Sequence, residues 1–183
     1  VVRSVSWDNG AIQNVGAVTW GNGTIGTVGP VRAANSLVGT TSGDLLGLVA
    51  PLTNGNYVVS SPNWDNGGLA DAGAATWADG TIGLSGAVTA ANSLVGISAS
   101  SLVGTSVTPL SDGNYVVSSW QWTNGAAVGA GAATWGNGTT GLVGSVNASN
   151  SLVGTSTGDG VGSVVTALTG GRYVVVSYDW DNG

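Results

Sequence analysis

Six residue types are missing from this chain. Its 183 residues include no cysteine, histidine, methionine, phenylalanine, lysine or glutamate. The only basic side chains are Arg3, Arg32 and Arg172, and the net charge is −6. Such a chain cannot neutralise a phosphate backbone, so nucleic acid is not an expected partner. An anionic membrane surface repels it for the same reason. Without cysteine there is no disulfide framework. Without His, Lys, Cys or Glu, a nucleophilic serine or threonine has no customary general base. No glycine-rich stretch has the phosphate-cradle spacing followed by lysine. Neither an enzyme nor a cofactor is expected. Glycine, serine or asparagine interrupts every apolar run before the roughly 18 residues of a membrane helix, so membrane insertion is not expected either. The absence of an initiator methionine and of a signal peptide reads as a mature product or an internal fragment.

What is present is repetition. Hydrophobic residues make up 42% of the chain, too many for the disordered class, which combines low hydrophobicity with high charge. The phrase Asn-Ser-Leu-Val-Gly occurs at Asn35–Gly39, Asn92–Gly96 and Asn150–Gly154. Trp-Xaa-Asn-Gly recurs at Trp7, Trp64, Trp122 and Trp180, and a tryptophan after threonine at Trp20, Trp77 and Trp135. A tyrosine before two valines stands at Tyr57, Tyr115 and Tyr173. Self-similarity at a fixed period marks a repeat architecture. The units run approximately over 1–55, 56–113 and 114–171, with a duplicated strand at 172–183.

Within the middle unit, Asn54-Gly55 is a hairpin signal, because both residues tolerate positive φ. Asn56–Ser61 reads as a strand that bends or reaches an edge at Pro62. Ala72–Trp77 reads as a second strand, whose small side chains let another sheet approach. Gly86–Val95 reads as a third strand with a bend near Asn92. Val103–Leu110 leads into the turn at Asp112-Gly113. No window holds a 3.6-residue stripe, and each of the 33 glycines costs a helix interior about 1 kcal/mol. The expected fold is all-β, built from tandem four-stranded antiparallel blade-like repeats. A β-propeller-like arrangement is favoured over a β-solenoid, because no shorter sub-period is visible and the hairpin signals call for antiparallel neighbours.

The run Val161–Val165 followed by Gly171–Ser177 resembles the FG-GAP repeats of integrin-type β-propellers. Tyr57–Pro62 stands where their valine-valine-glycine-alanine-proline strand stands, and Gly73–Trp77 resembles the strand that follows. Asn56–Gly67, with Thr134–Thr139, is similar to arrays in very large bacterial surface proteins. These resemblances imply an exported, repetitive, adhesive or structural protein at the bacterial cell surface or outside the cell. FG-GAP blades often carry a calcium loop. The matching turns here, Thr53–Gly55, Ser111–Gly113 and Thr169–Gly171, hold one carboxylate between them, so no metal is expected.

Aspartates are the remaining candidates for chemistry. Asp44 and Asp159 occupy equivalent places in units one and three, with Ser101 between them. Asp8, Asp65 and Asp181 follow the recurring tryptophan, with Thr123 in the remaining unit. A catalytic pair needs two carboxylates close together; these lie in different units, and a turn-closing role is favoured. Asn22-Gly23-Thr24, Asn137-Gly138-Thr139 and Asn147-Ala148-Ser149 match the N-glycosylation pattern, an accidental match in a bacterial chain.

Trp20, Trp77 and Trp135 are expected to pack between units. Trp7, Trp64, Trp122 and Trp180 sit beside Asn-Gly turns, where exposed rings could stack on sugars, with Trp120 and Tyr178 nearby. They are the candidate ligand-binding residues, although packing against a neighbouring unit is favoured. The expected function is a non-enzymatic extracellular structural or adhesive protein whose partner is itself, as a filament or closed ring. The alternative is a multivalent glycan-binding propeller.

Overall fold

A computed structural model describes residues 1–181. The strands are β1 (Val2–Ser4), β2 (Ala17–Thr19), β3 (Ser36–Val38), β4 (Leu48–Pro51), β5 (Tyr57–Ser61), β6 (Ala74–Ala78), β7 (Gly86–Ala87), β8 (Leu94–Val95), β9 (Ser106–Pro109), β10 (Tyr115–Ser119), β11 (Ala132–Gly136), β12 (Gly144–Ser145), β13 (Leu152–Val153), β14 (Val164–Ala167) and β15 (Tyr173–Val176). Among the described residues there is no α-helix, only a 3-10 turn at Thr169–Gly171. The chain is all-β, each repeat forms a small antiparallel blade-like sheet, and the described sheets close no barrel.

Unit two shows the full pattern. β4, β5, β6 and β8 lie side by side, each antiparallel to the next. Unit three repeats it as β9, β10, β11 and β13. The Asn54-Gly55 turn joins β4 to β5: Leu52 N donates to Asn56 O at 2.8 Å and Gly55 takes φ 91°. This sheet therefore gathers residues from both sides of the expected boundary at residue 55, and the next sheet from both sides of the one at 113. Unit one contributes β1, β2 and β3, and β14 with β15 forms a separate hairpin.

The segment Gly86–Val95 departs from the expected single bent strand. It makes two strands in two sheets. β7 joins β3 of the preceding unit in parallel, pairing Gly86 with Leu37 and Ala87 with Val38. β8 then joins its own unit's β6. β12 repeats the crossing onto β8, pairing Gly144 with Leu94 and Ser145 with Val95. Asn92 drives the turn between them. Its Oδ1 accepts from Thr89 N at 2.9 Å and Ser93 Oγ at 2.8 Å, and its Nδ2 donates to Ala87 O at 2.9 Å. Asn35 and Asn150 make the same three bonds in their units.

The rest of the repeated phrase is explained in the same way. The serine hydroxyl is held by the threonine of the neighbouring strand, at 2.7 Å, in Thr19–Ser36, Thr76–Ser93 and Thr134–Ser151. In units one and two, Leu-Val receives the next unit's parallel strand. The glycine passes so close to the chain that a Cβ on Gly39, Gly96 or Gly154 would strike the carbonyl oxygen of Val15, Ala72 or Ala130.

The apolar cores lie between units. One gathers Val18, Leu37 and Leu46 of unit one with Tyr57, Val59, Trp64, Ala74 and Val95 of unit two. The next gathers Val58, Ala75, Leu94 and Val103 of unit two with Tyr115, Val117 and Trp122 of unit three. Successive side chains of a strand point to opposite faces. In β5, Tyr57 and Val59 therefore meet the unit before and Val58 the unit after. This is why all five residues of β5 and of β10 are buried, where a half-solvated strand would alternate. The buried alanines of β6 and β11 leave room for the neighbouring unit's side chains in these cores.

Candidate functional site

The chemistry that recurs with the repeat is concentrated at the junctions between units. Trp20 Nε1 donates to Gly80 O at 2.8 Å, from unit one to unit two, and Trp77 Nε1 donates to Gly138 O at 3.0 Å, from unit two to unit three. The flat indole is received by Gly83 and Gly141, where any Cβ would collide with the Cβ of Trp20 or Trp77. At the second junction two more donors reach the same oxygen: Asn54 Nδ2 and Asn56 Nδ2 each lie 2.8 Å from Gly138 O. Asn56 Oδ1 meanwhile accepts from Gly80 N at 3.0 Å, and Asn114 Oδ1 from Gly138 N at 2.9 Å. The sequence reading did not pick out this node. Its trace was the recurrence of Asn56 and Asn114 before the tyrosine, and of Gly80 and Gly138 after the tryptophan strand.

The candidate tryptophans fall into two groups. Trp64 and Trp122 are buried in the junction cores. Their rings present no free face to a ligand, and their indole N–H groups find no acceptor, so they contribute through packing alone. Trp7 is half-buried, and Trp180 is 57% exposed. Trp120 and Tyr178 are also exposed. Trp20 and Trp77 stand between units as expected, half-buried, while Trp135 is 43% exposed.

The aspartates close turns. Asp44 is buried; its Oδ2 accepts from Thr40 N at 2.6 Å and Thr41 N at 2.9 Å. Its Oδ1 accepts from Thr41 Oγ1 at 2.8 Å and, across the junction, from Asp65 N at 3.2 Å. Asp159 Oδ2 accepts from Thr155 N and Ser156 N, each at 2.9 Å. Those amides, Ser156 foremost, hold its carboxyl below the ordinary aspartate range. Asp8 and Asp65 each tie down a loop six residues ahead, through Asn14 N at 2.7 Å and Asp71 N at 2.9 Å. Among the described residues no three acidic side chains gather as a metal cluster would require.

Clefts lie beside the recurring aromatics of the described residues. One of about 290 Å³ lies between Trp20 and residues 82–85, and one of about 380 Å³ between Trp20 and Tyr57. The third, about 300 Å³, is lined by Leu152, Val153, Val161, Val175, Ser177 and Trp180. No carboxylate or guanidinium lines any of them.

Stacked blade-like sheets with their recurring residues committed to the junctions define a tandem-repeat all-β protein. The chain belongs to the DUF5650 family, a repeat of unknown function, whose model matches residues 1–48, 51–105, 109–163 and 167–183. No curated protein and no solved structure matches it significantly.

Proposed function

We propose that this is a non-enzymatic structural or adhesive repeat protein of the bacterial cell surface or extracellular space, which works by repeat-to-repeat assembly. The observation that carries this reading is the burial of the central strands β5 and β10 by neighbouring units on both faces. Recurring residues join one unit to the next: Trp20 and Trp77 reach the following unit, glycines receive them, and the asparagine of the repeated phrase turns the strand that crosses. The resemblance to FG-GAP blades and to large surface-protein arrays supports the same reading, as does a composition with neither cysteine nor lysine.

A glycan site in every unit would need Trp64 and Trp122 to leave the junctions. Among the described residues, the exposed Trp180 beside its cleft is a place where a sugar could stack on a candidate ring without such movement. Sedimentation and electron microscopy across a concentration series, with a glycan-array screen of the same material, test the proposal. Concentration-dependent oligomers without glycan binding support it. Monomers at every concentration, with saturable glycan binding lost on Trp180→Ala, would replace it with the lectin reading.

A further inference from the structure

The Trp-Xaa-Asn-Gly phrase sets an asparagine at the same point of three equivalent turns. Asn9 pairs with Ile12, Asn66 with Leu69 and Asn124 with Ala127, each through two backbone hydrogen bonds of 2.9–3.2 Å. The glycine that follows lies in the left-handed region, with φ 65° at Gly10, 63° at Gly67 and 60° at Gly125, and open space stands where a Cβ would be. All three glycines are exposed. Asp8 Oδ1 accepts from Asn14 N, and Asp65 Oδ1 from Asp71 N, so the loop is closed alike in units one and two.

The side chains of these asparagines differ in one contact. Asn66 Nδ2 donates to Gly96 O and Asn124 Nδ2 to Gly154 O, each at 2.8 Å. Asn9 is exposed, and among the described residues its side chain has no hydrogen-bond partner. The clamp is made inside one unit, so it needs no neighbouring unit. Gly39 stands in unit one where Gly96 and Gly154 stand in the others, and Asn9 does not bind it.

We infer that Asn9 is a site of spontaneous deamidation in the folded protein, and that the carbonyls of Gly96 and Gly154 protect Asn66 and Asn124 from the same reaction. The backbone nitrogen of the following glycine attacks the asparagine Cγ. The new N–Cγ bond forms, the Cγ–Nδ2 bond breaks, and the attacking nitrogen's proton leaves with Nδ2 as ammonia. Water then opens the succinimide ring, at one carbonyl to give aspartate and at the other to give isoaspartate. Water is the only co-reactant, and nothing is oxidised or reduced. Glycine has no side chain to obstruct the attack. The amides of Gly10, Gly67 and Gly125 donate to no partner among the described residues, so the nucleophile is equally free in the three turns. The difference lies in the carboxamide, which must turn onto that nitrogen. It is held at Asn66 and Asn124 and unheld at Asn9. The product adds a carboxylate next to Asp8 and, as isoaspartate, one extra methylene in the backbone of an exterior turn.

The test is to hold the intact protein in mildly alkaline buffer and follow aspartate and isoaspartate at the three positions by peptide mass spectrometry with isoaspartate-sensitive fragmentation. Asn9 should convert roughly fivefold faster than Asn66 or Asn124, the factor that one hydrogen bond corresponds to. In guanidinium chloride, where no clamp survives, the three should convert alike. Asp8-Asn9-Gly10 and Asp65-Asn66-Gly67 are the same triplet, so a difference between them confined to the folded protein comes from the fold. Equal rates at the three positions in the folded protein would overturn the inference. So would an Asn9 that stays intact while the denatured control reacts, or a difference that persists in denaturant.

Discussion

Trp77 reaches out of its own sheet to donate its indole N–H to the carbonyl oxygen of Gly138, 3.0 Å away and 61 residues later in the chain. Trp20 and Gly80 repeat the relationship one unit earlier at 2.8 Å. In the row of tryptophans that follow threonine, Trp20 and Trp77 are thus fasteners between sheets, each needing a glycine to receive it.

Removing one fastener separates packing from hydrogen bonding. Trp77→Phe keeps most of the ring and loses the donor, and should destabilise the fold by about 1 kcal/mol. Trp77→Ala also leaves a cavity between units two and three, and should cost about 3–5 kcal/mol. Urea unfolding of the two variants checks this. A Trp77→Phe midpoint equal to the parent's would show that Asn54 and Asn56 satisfy Gly138 O without the indole.

Gly138 should be the least replaceable residue at that junction. A Cβ there would overlap the carbonyl oxygen of Gly113, in the hairpin loop beside it. Its amide and carbonyl are both engaged, the latter by three donors. Gly138→Ala should unfold the third unit or cost several kcal/mol. Gly68→Ala adds the same methyl where nothing lies within 4 Å and φ is unremarkable, so its thermal midpoint should move little. Equal effects in the two variants would refute the steric account.

The parts of the fold that were legible from sequence are those written locally. Asn54-Gly55 specifies a tight turn on its own, and Tyr57–Ser61 is strand-forming whatever surrounds it. The junctions were less legible because each depends on a partner about 60 residues away. Gly86–Val95 is β-compatible throughout, and only the spacing from Thr89 to Asn92 hinted that the asparagine would close a turn and divide it. For Trp64 and Trp122, beside Asn-Gly turns that usually face water, the sequence leaves both exposure and packing open, with packing favoured. The neighbouring sheet covers them. Turn chemistry is visible in sequence, but what lies on top of the turn is not.

Alkaline pH should loosen the junction between units two and three. The Tyr115 hydroxyl is buried, and desolvation pushes its pKa up to about 12, against an opposing backbone hydrogen bond from Leu142. The folded value lies above the unfolded value near 10, so the unfolded chain releases its proton first. The stability tied to this group is complete below about pH 10 and is lost as pH rises towards 12, by about 2 kcal/mol. Unfolding free energies measured from pH 8 to 12 should fall along that window, and Tyr115→Phe should flatten the decline. An unchanged slope in the phenylalanine variant would assign the loss to other groups.

Unit two carries a gap that the other units show how to fill. At the place of Asp44 and Asp159 it has Ser101, whose buried hydroxyl finds no partner. In unit one the carboxylate binds two backbone amides of its own loop and the amide of Asp65 in the next unit. Ser101→Asp sets the same group facing the equivalent amides of Ile97, Ser98 and Thr123. Charge-assisted bonds of this kind contribute about 1.5–3 kcal/mol each, against the desolvation of a buried carboxylate, so a net gain of about 1 kcal/mol is expected. The amides lower the carboxyl's folded pKa, as they do for Asp159. The gain should therefore be present above the ordinary aspartate pKa and disappear as pH falls through the depressed folded value. Denaturant melts of parent and variant at neutral and acidic pH decide the matter. A variant no more stable at neutral pH, or a gain that survives full protonation, would rule out the clamp.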